Sequence, residues 1–211
     1  MISQTWWYVA RATGITAWVL LALSVVWGLL LSTSVLKSWS APKWLLDLHR
    51  FMGGLALVFT ALHLGGLVAD SYVQFGPADL LVPLASPYKT WPVAGGILAL
   101  YTLAAVEVTS LAMSRLPRRW WKRIHLTSFA CYWLATVHTI TAGTDATSPW
   151  LWWTTTGVSA VVVFLTLYRV LADADARRPA RRRRPAGAGA SRVSGAAADP
   201  SNMMGATARR R

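Results

Sequence analysis

Long uncharged apolar runs alternate with short polar, tryptophan-rich segments as far as Tyr168. Five runs stand out: Ala12–Leu36, Phe51–Ala69, Thr90–Val106, Ile124–Gly143 and Ala146–Tyr168. A helix rising about 1.5 Å per residue crosses a hydrocarbon core of about 30 Å in roughly 20 residues, so each run is a candidate span. The third is shortest and must continue through Glu107 towards Ser114. Backbone amides find no water in lipid, so the runs are predicted to be helices. Pro42, Pro92 and Pro149 sit near the expected helix starts, Ser148 is placed to cap the last one, and Gly143 follows the fourth. Between Asp70 and Lys89, the stretch Ala78–Ala85 is too short to span and is expected to lie in the interface. The pattern predicts an all-α integral membrane protein: a bundle of five or six transmembrane helices over residues 1–171, then a tail over 172–211.

Composition agrees. Hydrophobic residues make up 55% of the chain and charged residues only 14%, against about 25% charged in soluble domains. This excludes a soluble enzyme. One cysteine, Cys131, excludes a disulfide framework and reads as a small apolar residue. The net charge of +13 is concentrated: residues 172–211 hold 10 of the 21 basic and 3 of the 8 acidic residues. That segment is Ala, Arg, Gly, Pro and Ser with almost no large apolar side chains, which predicts a disordered basic tail. A topology-fixing tail that touches anionic lipid accounts for its arginines, and no nucleic acid partner is expected. Lys37, Lys43, Arg50, the run from Arg115 to Arg123, and Arg169 fall on one side of the membrane, Arg11 and Lys89 on the other. The positive-inside bias then places the N-terminus outside the cell membrane and the C-terminus in the cytoplasm. With no basic n-region or cleavage site, the first span is expected to remain as an uncleaved anchor. Ten of the thirteen tryptophans lie at span ends, as interfacial belts require.

The chemistry lies in four histidines, all within or at the edge of just two of the five predicted spans. A lone membrane histidine is ordinarily a packing residue; two on each of two helices are not expected from scatter. His49 and His63 are 14 residues apart, roughly 21 Å along a helix and about 40° from a common line, so both leave one face. His125 and His138 are 13 apart, roughly 20 Å, but about 140° apart on an ideal helix, which requires overwinding, bending or ligation on different sides. Both helices leave the cytoplasm, so His49 pairs with His125 and His63 with His138, in two levels. Four ligands divided between levels roughly 20 Å apart cannot serve one metal ion. Two imidazoles on facing helices suit a planar iron macrocycle held from both sides, a haem at each level; filled axial positions favour electron transfer. The stripe through His49 also carries Met52, Gly53, Ala56, Thr60 and His63. Its small residues suit either a porphyrin edge or close helix packing. Tyr132 and Trp133 read as core packing.

Paired histidines at these spacings, in Leu48-His-Arg-Phe-Met-Gly-Gly with His63 following and Arg118-Arg-Trp-Trp-Lys-Arg-Ile-His125 with His138 following, resemble the ferric reductase-like transmembrane domain. That superfamily includes ferric reductases, NADPH oxidases and the haem-binding subunit of the periplasmic methionine sulfoxide reductase system. The resemblance covers roughly residues 8–170 and implies that the four histidines are axial ligands of two haems. Full-length reductases continue into FAD and NAD(P)H modules; here no strand-glycine-helix dinucleotide fingerprint follows. Electrons would come from a separate redox partner, a flavoprotein carrying FAD or FMN, or from quinol, and pass to an outer acceptor or exported reductase. Arg50, Lys122 and Arg123 inside and Arg11 outside are candidates for haem propionates, or simply snorkel. Glu107 is expected to be a proton-handling group, or a partner for Arg115 or another basic residue nearby. The rival readings are a transporter or channel using the histidines for proton or metal passage, and an anchor that has lost redox work.

Overall fold

The computed structural model describes residues 2–33, 43–71, 73–143, 145 and 147–177. These form seven helices: α1 (Ile2–Ser32), α2 (Lys43–Ala69), α3 (Pro77–Leu81), α4 (Thr90–Leu111), α5 (Arg118–Leu126), α6 (Ser128–Ala142) and α7 (Pro149–Arg177). A 3-10 turn at Met113–Arg115 follows α4, and no strand occurs among the described residues. Helices α1 and α2 start well before Ala12 and Phe51, where the first two uncharged runs begin. Lys37, Pro42 and the predicted tail from residue 178 lie outside the described residues; α7 carries the chain past the expected boundary at 171 as far as Arg177.

Among the described residues, four helical stretches are long and apolar enough to cross a membrane: Gln4–Ser32, Lys43–Ala69, Thr90–Leu111 and Pro149–Ala174. The predicted span Ile124–Gly143 instead folds as two shorter helices, α5 and α6, joined at Thr127. The carbonyl of Ile124 accepts both the Thr127 amide at 2.9 Å and its hydroxyl at 2.6 Å. A threonine hydroxyl competing for helix carbonyls in this way tightens and bends the turn.

The core explains which helices hold the bundle together. Leu21, Ala22, Val25 and Leu29 of α1 bury against Ala56 of α2, Ala99 and Leu103 of α4, Cys131 and Tyr132 of α6, and Val162 of α7. Small residues let backbones approach: a Cβ on Gly66 would stand 2.9 Å from the Ala10 backbone nitrogen, so only glycine permits this α1–α2 crossing. Buried polar atoms are matched across helices. Trp18 Nε1 donates to Thr136 Oγ1 at 3.0 Å, and Tyr132 Oη and Ser159 Oγ share a bond of 2.9 Å that ties α6 to α7. Tyr132 is core as expected, whereas Trp133 is 41% exposed and packs outward.

Large apolar side chains such as Val58, Leu62, Phe164 and Leu167 are exposed along the helices, and Trp44, Trp91, Trp150 and Trp153 near their ends. A multi-pass membrane protein covers such a band with lipid and puts its tryptophans at the boundary. The expected interfacial stretch contains α3, whose first turn is closed by the Gly76 amide donating to Asp79 Oδ2 at 2.8 Å. Tyr101 of α4 donates its hydroxyl to the Leu81 carbonyl and holds α3 to the bundle. Lys89 donates to the Thr141 and Ala142 carbonyls at 3.0 and 3.2 Å, satisfying the C-terminal end of α6.

Candidate functional site

The structure brings the four histidines together as two pairs. His49 and His125 have ring centres 6.0 Å apart with planes at 74°; His63 and His138 are 6.4 Å apart at 78°. The break at Thr127 lies between His125 and His138, so the ideal wheel that set them about 140° apart does not apply. The Thr127 amide bonded to the Ile124 carbonyl makes a 3-10 step, which turns about 120° rather than 100°, in the direction needed.

Three of the histidines are held by one recurring device. His63 Nδ1 lies 2.7 Å from the Ala10 carbonyl oxygen, His49 Nδ1 3.1 Å from that of Ser24, and His138 Nδ1 2.8 Å from that of Pro92. Each carbonyl stands one helical turn before a glycine: Gly14, Gly28 and Gly96. A helical side chain covers the turn N-terminal to its own Cα, so a glycine uncovers the carbonyl one turn earlier. That carbonyl keeps a second lone pair after its intrahelical bond, and the imidazole uses it. The fit is tight. An added Cβ would come to 2.8 Å from His63 Nδ1 at Gly14, 3.1 Å from His49 Cε1 at Gly28 and 2.7 Å from His138 Nδ1 at Gly96. A carbonyl only accepts, so Nδ1 carries the hydrogen and Nε2 keeps its lone pair.

These glycines escape a reading focused on ionisable groups. A signal exists in the spacing, because Gly14 and Gly28 stand as far apart in the chain as His49 and His63 do on the antiparallel neighbour. His125 is the exception. It stacks on Trp121, with ring centres 5.1 Å apart and planes at 21°, and its buried Nδ1 has no hydrogen-bond partner.

Around the His63–His138 level lies a cavity of about 250 Å³ with walls that include Trp18, Leu21, Leu100 and Leu103. Arg11, Asp70 and Asp145 also line it. Arg11 forms an ion pair with Asp145 and lies 5.1 Å above the Trp7 ring. The other basic candidates are exposed: Arg50 pairs with Asp47 at 3.7 Å, Arg123 lies over Trp120, and Lys122 faces outward. Met52, Gly53 and Ala56 are buried as the stripe suggested, but the room left by Gly53 is filled by the Glu107 carboxylate. Glu107 takes part in neither described ion pair, so the expected link to Arg115 is not formed. Cys131 is buried and donates weakly to the Ala99 carbonyl at 3.4 Å, as befits an inert core thiol. Among the described residues no three metal-ligating side chains converge on one point.

Neither a curated protein nor a solved structure matches the chain. A family model does, over residues 13–137, more than half of the chain, taking in His49, His63 and His125 and ending just before His138. This multi-pass membrane protein belongs to the ferric reductase-like transmembrane component family, which points to electron transfer across a membrane.

Proposed function

We propose that the chain is a transmembrane di-haem b-type electron carrier, with His49–His125 and His63–His138 as the two axial pairs. The observation that carries this reading is the facing of imidazoles across helices at two levels. A metal–imidazole bond of about 2.0–2.1 Å, plus about 1.2 Å from nitrogen to ring centre, puts two rings on opposite sides of one ion about 6.5 Å apart. The separations of 6.0 and 6.4 Å fit that sum. The Nδ1–carbonyl bonds of His49, His63 and His138 are the outer-shell contacts that orient a ligating imidazole and raise its basicity.

Haem iron with both axial positions filled by imidazole exchanges single electrons rather than binding substrate at the metal. The protein's own residues hold the rings, exclude water and insulate the path. Leu21, Ala22 and Val25 lie between Gly14 and Gly28; Ala56 lies between His49 and His63; Ala99 and Leu103 follow Gly96; and Cys131 and Tyr132 lie between His125 and His138. The polar groups among these helices, such as Tyr132 and Thr136, are engaged with Ser159 and Trp18, so this largely apolar layer disfavours the rival reading of a proton or metal path, which needs polar groups along its length.

The basic residues of α5 support a cytoplasmic His49–His125 level, with electrons entering there from a flavoprotein or quinol and leaving at the His63–His138 side. Arg50, Lys122 and Arg123 would face haem carboxylates at the first level and Arg11, shared with Asp145, at the second. The test is haem stoichiometry by pyridine haemochrome on protein expressed with ample haem. Two haems per wild-type chain are expected; a folded, colourless protein would overturn the reading and favour transport.

A further inference from the structure

Three of the four histidines rest on a glycine and a carbonyl of the neighbouring helix, and the fourth does not. Helix α4 runs antiparallel to α5 and α6, and its Gly96 seats His138. The step back from His138 to His125 equals the step forward from Gly96 to Thr109, so the counterpart of His125 on α4 is Thr109 or its neighbour Ser110. The fourteen steps to Ser110 return to within about 40° of the Gly96 face, whereas the thirteen to Thr109 miss it by about 140°. On that register Ser110, not Thr109, is the α4 residue on the face that seats His138. Thr109 is otherwise engaged: its hydroxyl bonds the Ala105 carbonyl at 2.6 Å and that of Val106 at 3.2 Å. Val106 stands one turn before Ser110, so the carbonyl that the other seats would offer is already shared.

Ser110 Oγ is buried with no hydrogen-bond partner, and so are His125 Nδ1 and the Nε1 of Trp121, on which His125 stacks. Two of these groups are donors when His125 keeps its Nε2 lone pair, and the hydroxyl both donates and accepts. A buried polar atom left without a partner is costly, so groups of complementary chemistry at one end of the bundle are expected to meet.

We propose that Ser110 is the positioning residue for His125, its hydroxyl accepting from a water that in turn accepts from His125 Nδ1 and Trp121 Nε1. Where His63 and His138 lean on an uncovered backbone carbonyl, and His49 on both the carbonyl and, at 3.3 Å, the hydroxyl of Ser24, this one leans on a side chain alone. The inference rests on the di-haem reading and makes the His49–His125 level the one whose ligand strength a single side chain sets.

The experiment uses Ser110→Ala, Ser110→Thr and Thr109→Ala in the full chain and in a His63→Ala background, where the remaining haem reports the His49–His125 level. Readouts are the rate of haem transfer to apomyoglobin and the midpoint potential. Loss of an outer-shell partner typically weakens metal binding about 10–100-fold, so Ser110→Ala should speed release from this level by about that factor. It should also raise that haem's potential, because a less basic imidazole favours the ferric state less. Ser110→Thr restores both, and Thr109→Ala changes neither. Haem-loaded protein indifferent to Ser110→Ala would overturn the proposal and leave the di-haem reading intact. So would equal acceleration of release from both levels, which marks a folding effect. Wild-type protein that takes up no haem would overturn both.

Discussion

Gly96→Ala tests the seating of the histidines with a single methyl group. The added Cβ would stand 2.7 Å from both Cε1 and Nδ1 of His138 and 3.0 Å from Cγ. Carbon contacts are comfortable at about 3.5–4.0 Å, so the ring must withdraw by about 0.7 Å or more. Withdrawal stretches the 2.8 Å bond from Nδ1 to the Pro92 carbonyl beyond hydrogen-bonding range. Overpacking of this kind costs about 1–3 kcal/mol, and the lost bond adds about 0.5–1.5 kcal/mol. The better helix propensity of alanine returns about 0.5–1 kcal/mol. The net is about 0.5–4 kcal/mol with a centre of about 2 kcal/mol, roughly a 30-fold loss of haem retention at the His63–His138 level. Gly95→Ala is the matched control, because a Cβ there meets nothing within 4 Å. Gly14→Ala should behave like Gly96→Ala, and Gly28→Ala more mildly, since its nearest contact is 3.1 Å. Haem content and thermal unfolding by circular dichroism are the assays. Equal retention in Gly95→Ala and Gly96→Ala would refute the seating argument.

His63→Ala should lose one haem and keep the other partly loaded, read as a halved Soret band; loss of both together would mean the levels are not independent. Trp18→Phe removes the donor to Thr136 Oγ1 and should lower stability by about 1 kcal/mol; an unchanged unfolding midpoint would show that this bond contributes nothing to the α1–α6 contact. Arg11→Ala breaks a partly exposed pair with Asp145, so its effect on unfolding should stay below about 1 kcal/mol and shrink with salt. A larger, salt-independent loss would assign Arg11 a role beyond that pair.

The helical class, the membrane and the paired histidine levels were legible because period, length and spacing report them directly. Residues 49 and 63 share a face on any regular helix, and no packing detail is needed to see it. The turn at Thr127 was not legible as such. The wheel conflict between His125 and His138 signalled an irregularity, but whether winding or bending resolves it depends on which groups compete for the Ile124 carbonyl. The glycine seats depend on inter-helix register, which hydropathy does not encode, although the matched intervals of Gly14 to Gly28 and His49 to His63 carried it. Small residues are ambiguous from sequence alone. Gly53 looked like room for a cofactor edge and is taken up by Glu107. Arg11 read as a candidate for a haem propionate or as snorkelling, and it is matched by Asp145, far along the sequence.

The near-perpendicular ring planes, 74° in one pair and 78° in the other, allow a direct spectroscopic test. Electron paramagnetic resonance of the oxidised, purified protein at helium temperature reads both the spin state of each iron and the relative orientation of its axial rings. Two low-spin ferric signals of the highly anisotropic kind given by crossed imidazoles are the expected result. A high-spin signal, a single site, or no haem iron would contradict ligation by histidine pairs at two levels.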